Sequence, residues 1–220
     1  MSASEVLAGG RRAEIGRRLD EFAAGYTFTS RLLLEPPDLT LLDRIGHPGL
    51  LDEWPMTDEK SRHGVRLLLA GATEGAVPLA RDHQRLFVGP GRLLAAPYES
   101  VYLSRDHLLF EEQTLQVREA YREFGLVAPA LNREPDDHLG LELHFLAEVC
   151  LRSLDALDAG DDDRLDATLA AHQSFLTDHV LRWGPTFLDL VTEHARTDFF
   201  RGVALLTAGL LDQARTTFGS

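Results

Sequence analysis

One cysteine, Cys150, stands in 220 residues, so no internal disulfide can staple this fold. It falls in line with Leu139, Leu143, Leu146, Leu154 and Leu157 at helical spacing, which marks a buried structural thiol and not a nucleophile. Long apolar runs are also missing. Nothing approaches the about eighteen residues that a membrane-spanning helix needs. The opening Met-Ser-Ala-Ser-Glu lacks a basic stretch followed by a hydrophobic one, so no signal peptide is expected. A protein of the reducing cytoplasm, with no stable membrane insertion, is the expectation. Positive charge is scarce too. Twenty-two Lys and Arg face 35 Asp and Glu, a net charge of −13, which argues against a nucleic-acid surface, because such affinity rests on cations meeting the phosphate backbone.

Several chemical signatures are absent as well. There is no Gly-x-Ser-x-Gly elbow for a nucleophilic serine and no His-Glu-x-x-His for zinc. Gly89-Pro90-Gly91 is glycine-rich, but it lacks the spacing of a phosphate-binding loop and no strand pattern precedes it.

What remains is helical. The 44% hydrophobic and 26% charged composition is ordinary for a globular chain, read here as one domain over residues 1–220. Ile15, Leu19, Phe22, Tyr26 and Leu33 share a helix face that stops at Pro36-Pro37. Asp38 is placed to cap a short helix carrying Leu39, Leu42 and Ile45, and Thr57 or Asp58 to cap the next. Another apolar segment reaches Leu86-Phe87. From Gly89 to Tyr102 the chain reads as a loop rich in Gly, Pro and aromatics. Helix resumes around Thr114 and stops at Gly125. Glu134-Pro-Asp-Asp-His138 then reads as a helix opening, with Pro135 at the first helical position and Asp136 and Asp137 on the positive end of the dipole. Gly160 and Asp161 to Asp163 mark the next turn. A helix through Phe175 and His179 is expected to be cut at Gly184-Pro185, and a last one to start at Asp198. The count is roughly nine helices around one conspicuous loop, a compact all-α bundle.

Two clusters invite a chemical reading. Glu134, His138 and Glu142 follow one another at four-residue spacing and suggest, as an alternative function, a metal-dependent hydrolase. The repeated Glu-x-x-His pairs of a bundle metal site are missing, so no metal, cofactor or catalytic residue is assigned. Asp137-His138 by itself reads as a capping acid beside a histidine that bonds locally. His179, Trp183 and Phe187, spaced by four, read as one packed face with the histidine satisfied by a backbone group.

Taken together, Arg85-Leu-Phe-Val-Gly-Pro-Gly91 with Pro97-Tyr-Glu-Ser-Val-Tyr102, Glu134-Pro-Asp-Asp-His138 with Glu142-Leu-His-Phe-Leu146, and Phe175 to Phe187 resemble the TorD/DmsD/NarJ group of maturation chaperones for molybdenum-containing redox enzymes. The resemblance spans about residues 10–212. It implies an all-helical, non-enzymatic protein. Such a protein binds the N-terminal twin-arginine signal peptide, or a comparable segment, of a molybdenum-cofactor oxidoreductase and holds the apoprotein until its cofactor is inserted. Carried over by position, the client-binding residues are Leu86, Phe87, Pro97, Tyr98, Tyr102, Glu134, Pro135, Asp137 and His138. His83 replaces a frequent aromatic and makes that wall less apolar. The resemblance also brings weak GTP binding, and either a monomer or a homodimer, as expectations. The physics agrees: a cationic, then apolar segment calls for carboxylates, here Glu134 and Asp137, beside a greasy groove.

Overall fold

The structure is a computed structural model and describes residues 3–47, 49–91, 93–104, 112–127 and 135–219. These form α1 (Ala3–Leu34), α2 (Leu39–Gly46), α3 (Glu59–Ala72), α4 (Ala76–His83), α5 (Glu99–Leu103), α6 (Glu112–Glu123), α7 (Leu139–Ala159), α8 (Asp162–Phe175), α9 (Leu181–His194) and α10 (Asp198–Phe218). A π turn, Gln84–Val88, continues α4, and a second, Leu176–Val180, joins α8 to α9 in one unbroken rod. Among the described residues there is no strand, and the helices make nine continuous pieces.

Local chemistry explains most ends. Asp38 accepts the Leu41 N–H at 2.7 Å, and Asp58 accepts the Ser61 N–H at 3.0 Å. These side chains satisfy first-turn donors that have no helical partner. Gly125 (φ +63°) and Gly160 (φ +71°) end α6 and α7 in the left-handed region, where a side chain is disfavoured.

α7 is the central helix. Its Leu139, Leu143, Leu146 and Cys150 are fully buried, and α1 lies along it, with Leu19, Phe22, Tyr26 and Leu33 buried. Burial raises the Cys150 thiol well above its ordinary range, as expected of a structural cysteine. On the other side α3 crosses α10 so closely that the backbones touch. A Cβ on Gly71 would stand 2.1 Å from the Phe199 nitrogen, and one on Gly202 2.6 Å from the Leu68 nitrogen. Asp82 ties α4 to the start of α10, accepting the N–H groups of Arg196 and Thr197 and the Thr197 hydroxyl.

Three sequence expectations change. The helix expected to open at Pro135 begins at Leu139, because Asp136 and Asp137 bond other elements and His138 takes the cap instead. The stretch to Tyr102 is not all loop, since α5 occupies Glu99–Leu103. Gly184-Pro185 does not cut the helix. Trp183, Phe187, Leu188 and Val191 are buried there. That burial, about 1.5–3 kcal/mol per large side chain, outweighs the about 3 kcal/mol an interior proline costs.

Candidate functional site

The loop and the helix opening meet backbone to backbone. Tyr98 and His138 form an isolated antiparallel bridge. The Leu139 N–H donates to the Pro97 carbonyl at 2.9 Å, and the Glu99 N–H donates to the Asp137 carbonyl at 3.0 Å. Tyr98 and His138 are half-buried residues whose rings stand edge to face, 5.4 Å apart at 85°. His138 is the N-cap of α7: its Nδ1 accepts the Gly140 N–H at 2.9 Å, so the ring proton sits on Nε2. Burial, then the neighbouring His83, push its pKa down to about 3, so it stays neutral. α1 presses on this turn. A Cβ on Gly140 would lie 2.6 Å from Leu34 Cγ, and Ser30 donates to the Gly140 carbonyl.

Asp137 is fully buried and points inward. Its Oδ2 accepts the Ser100 N–H and its Oδ1 the Thr114 hydroxyl, both at 2.8 Å, which joins α5, α6 and α7. Asp136, also buried, pairs with Arg118, and its carbonyl accepts the Tyr121 hydroxyl. The expectation that Asp137 offers a surface carboxylate is therefore corrected, because its lone pairs are spent holding the loop. Leu86 and Phe87 are likewise core, not surface wall. Phe87 packs against His83, Phe187 and Phe200. Pro97 and Pro135 are buried beside the bridge, and Glu134 lies outside the described residues.

Behind the bridge lies a group that sequence reasoning missed. Glu99 and Glu142, both fully buried, each keep one carboxyl oxygen, Oε1, that no described group satisfies. Glu142 Oε2 accepts the Trp183 indole N–H at 3.2 Å. His179 Nδ1 lies 2.9 Å from Glu99 Oε2 and donates to it, so a carboxylate and not a backbone group satisfies this histidine. Burial first, then the charges of Glu99 and Asp137, raise the Glu142 pKa well above the usual carboxylate range. A signal was available: Leu139, Glu142, Leu143 and Leu146 follow the i, i+3, i+4, i+7 pattern, which puts a glutamate on the core face. The metal alternative loses two ligands here, since Glu142 turns to Trp183, and His138 to Gly140. Among the described residues no group of three His, Cys, Asp or Glu can hold a metal ion.

Tyr102 stacks on Trp183 with centroids 5.3 Å apart, and burial raises its phenol pKa. With Leu93, Leu94, Tyr98, Leu190 and His194, it lines an open depression of about 640 Å³. Asp189 and Glu193 are exposed on α9, the helix that supplies Leu190 and His194 to this depression. No described helix is long and apolar enough to cross a membrane.

Comparison with known proteins gives the family. The family described as "Nitrate reductase delta subunit" matches residues 57–189. The chain is 30% identical over 161 residues to the Tat proofreading chaperone DmsD of Salmonella typhi, covering 73% of this chain and 71% of the relative. It is 30% identical over 167 residues to the chaperone protein TorD of Vibrio cholerae, covering 75% and 74%. It is 27% identical over 183 residues to the probable Tat proofreading chaperone DmsD of Haemophilus influenzae, covering 81% and 82%. These relatives are chaperones, and nothing among them favours the hydrolase alternative.

Proposed function

The chain belongs to the TorD/DmsD/NarJ family of chaperones, and from that premise we propose that it binds the N-terminal twin-arginine signal peptide, or a comparable segment, of a molybdenum-cofactor oxidoreductase. It would act in the cytoplasm, as one domain, and hold the apoprotein until cofactor insertion and export. The observation that carries this reading is the Tyr98–His138 bridge, which fuses the loop and the helix opening into one surface beside the apolar depression.

The division of labour follows from burial. Tyr98, His138 and Tyr102 reach the surface and are the contact residues, with Glu134 kept as a proposed carboxylate of the same opening. Pro97, Pro135, Leu86, Phe87 and Asp137 support them from below. The apolar stretch of the signal lies in the depression, as in other groove-binding segments. Its arginines meet Asp189 and Glu193, a charge-assisted pairing that Asp137 is too buried to make. The −13 charge draws the basic segment in.

Calorimetry with a synthetic twin-arginine signal peptide tests the proposal. Binding that weakens at least about tenfold, some 1.4 kcal/mol, in Tyr98→Ala and His138→Ala supports it. Unchanged affinity in both variants removes the site. Light scattering of the same protein reads out monomer or homodimer, and titration with GTP in the same calorimeter reads out weak nucleotide binding.

A further inference from the structure

We propose that the buried Glu99–Glu142 pair is a positioning device: it clamps α5 to α7, and so holds Tyr98 against His138 in the shape that a client segment meets. The clamp rests on the functional reading above for its purpose, although not for its geometry.

The pair sits one step from the bridge on each side. Glu99 directly follows Tyr98, and its own N–H makes one of the two bridge bonds, to the Asp137 carbonyl at 3.0 Å. Glu142 lies one helical turn beyond His138, and its N–H donates to the His138 carbonyl at 3.0 Å. Each clamp side chain is therefore rigidly coupled to one bridge residue. Pulling the carboxyls together pulls Tyr98 and His138 together.

The chemistry of the contact is restrictive. Two carboxylates have only acceptors, so a direct hydrogen bond between them requires that one be protonated. Glu142 holds that proton, for the raised pKa described above points the same way. Glu99 Oε1 and Glu142 Oε1 have no hydrogen-bond partner among the described residues, and a proton shared between them gives each of them one. The remaining contacts are Trp183 Nε1 on Glu142 and His179 Nδ1 on Glu99, with Asp137 and Tyr121 as the other titratable neighbours. Among the described residues no arginine or lysine pairs with either carboxyl, so the clamp depends on a protonated acid in a buried site and not on an ion pair.

A clamp that positions the site differs from a core residue that only stabilises the fold, and two substitutions separate them. In Glu142→Gln the amide donates to Glu99 and its oxygen still accepts from Trp183. Glu142→Met keeps the length of the side chain and makes neither bond. Amide hydrogen exchange is followed at Glu99, Ser100 and Leu139, with Leu206 in the middle of α10 as the reference. Affinity for a twin-arginine signal peptide is measured on the same samples.

Expected in Glu142→Met is exchange faster by at least about tenfold at those three amides relative to Leu206, with peptide affinity down at least about fivefold. Glu142→Gln should stay within about twofold of wild type in both. Wild-type exchange in Glu142→Met, or a Gln variant as impaired as the Met variant, overturns the clamp. Faster exchange with unchanged affinity overturns its link to the client. If the wild type binds no such peptide, the chaperone reading falls and the exchange comparison alone decides the clamp. Should Glu142→Met not fold, Trp183→Phe removes one bond to Glu142 while keeping an aromatic ring. It should loosen the same three amides at least about threefold, and wild-type exchange there counts against the clamp.

Discussion

Asp137 accepts the backbone N–H of Ser100 at 2.8 Å across 37 residues of chain, so the most conspicuous acid of the helix opening faces the protein interior and not the surface. The same carboxylate holds the Thr114 hydroxyl. Asp137→Ala leaves a buried N–H and a buried hydroxyl without their acceptor, at about 1–3 kcal/mol each. We expect Asp137→Ala to lose about 2–4 kcal/mol in urea unfolding and Asp137→Asn clearly less, since an amide can still accept from Ser100 and donate to Thr114. Equal losses in the two variants would show that the hydrogen bonds are not what Asp137 contributes.

His172 is fully buried, with Tyr26 and Phe218 against its ring and no hydrogen-bond partner for either nitrogen among the described residues. Burial pushes its pKa from 6.5 down to about 3. Between those values the unfolded chain binds a proton that the folded chain refuses, so stability falls as pH drops through this window, by about 1.4 kcal/mol per pH unit. His172→Leu removes that slope and the two orphaned nitrogens. Unfolding curves at pH 7 and pH 5 should show the variant gaining about 2 kcal/mol on the wild type at the lower pH. A gap that does not change with pH would contradict the assignment.

The α3–α10 crossing predicts a large effect from a single methyl. Gly71→Ala would put its Cβ 2.1 Å from the Phe199 nitrogen, a backbone atom that cannot swing aside. Parting the helices to admit it should cost about 3 kcal/mol or more, a heavy case of overpacking. Gly10→Ala, with nothing within 4 Å, is the control and should hold or raise the melting temperature. Similar melting temperatures for the two variants would refute the close crossing.

Asp82 gives the junction of α4 with the start of α10 its acid limb. Burial draws its pKa upward, but hydrogen bonds from Arg85, Thr197 and Arg196 outweigh this and hold it below the ordinary carboxylate value. A depressed folded pKa contributes stability that is present above the unfolded value, about 3.9, and lost as pH falls through the folded one. Asp82→Ala should therefore cost about 2–3 kcal/mol near pH 7 and progressively less below pH 4, measured by denaturant titration. A pH-independent cost would mean that the charge of Asp82 is not involved.

Client encounter should depend on salt. With a net charge of −13 and a cationic signal peptide, stopped-flow association should slow several-fold between about 20 and 200 mM salt, while dissociation changes little. An association rate independent of salt would assign recognition to the apolar depression alone.

Much of this architecture was written in local pattern. The stripe on α1, the caps at Asp38, Asp58 and Asp161, the stop at Gly160 and the core face of α7 each depend on residues within about one helical turn, and spacing reports that range directly. The resemblance also paired the loop with the helix opening before any contact was visible. Spacing could not say that Asp137 would spend its oxygens on Ser100 and Thr114, that Leu86 and Phe87 would sink into the core, or that His179 would reach Glu99 across 80 residues. Nor could it place Trp183 on Glu142, 41 residues away. Helical periodicity by itself determined which residues of Leu139 to Leu146 share a face. Only the tertiary structure decided which polar groups of the helix opening turn inward, because a buried polar group must find its partner wherever packing delivers one, and the distance along the chain does not limit that search.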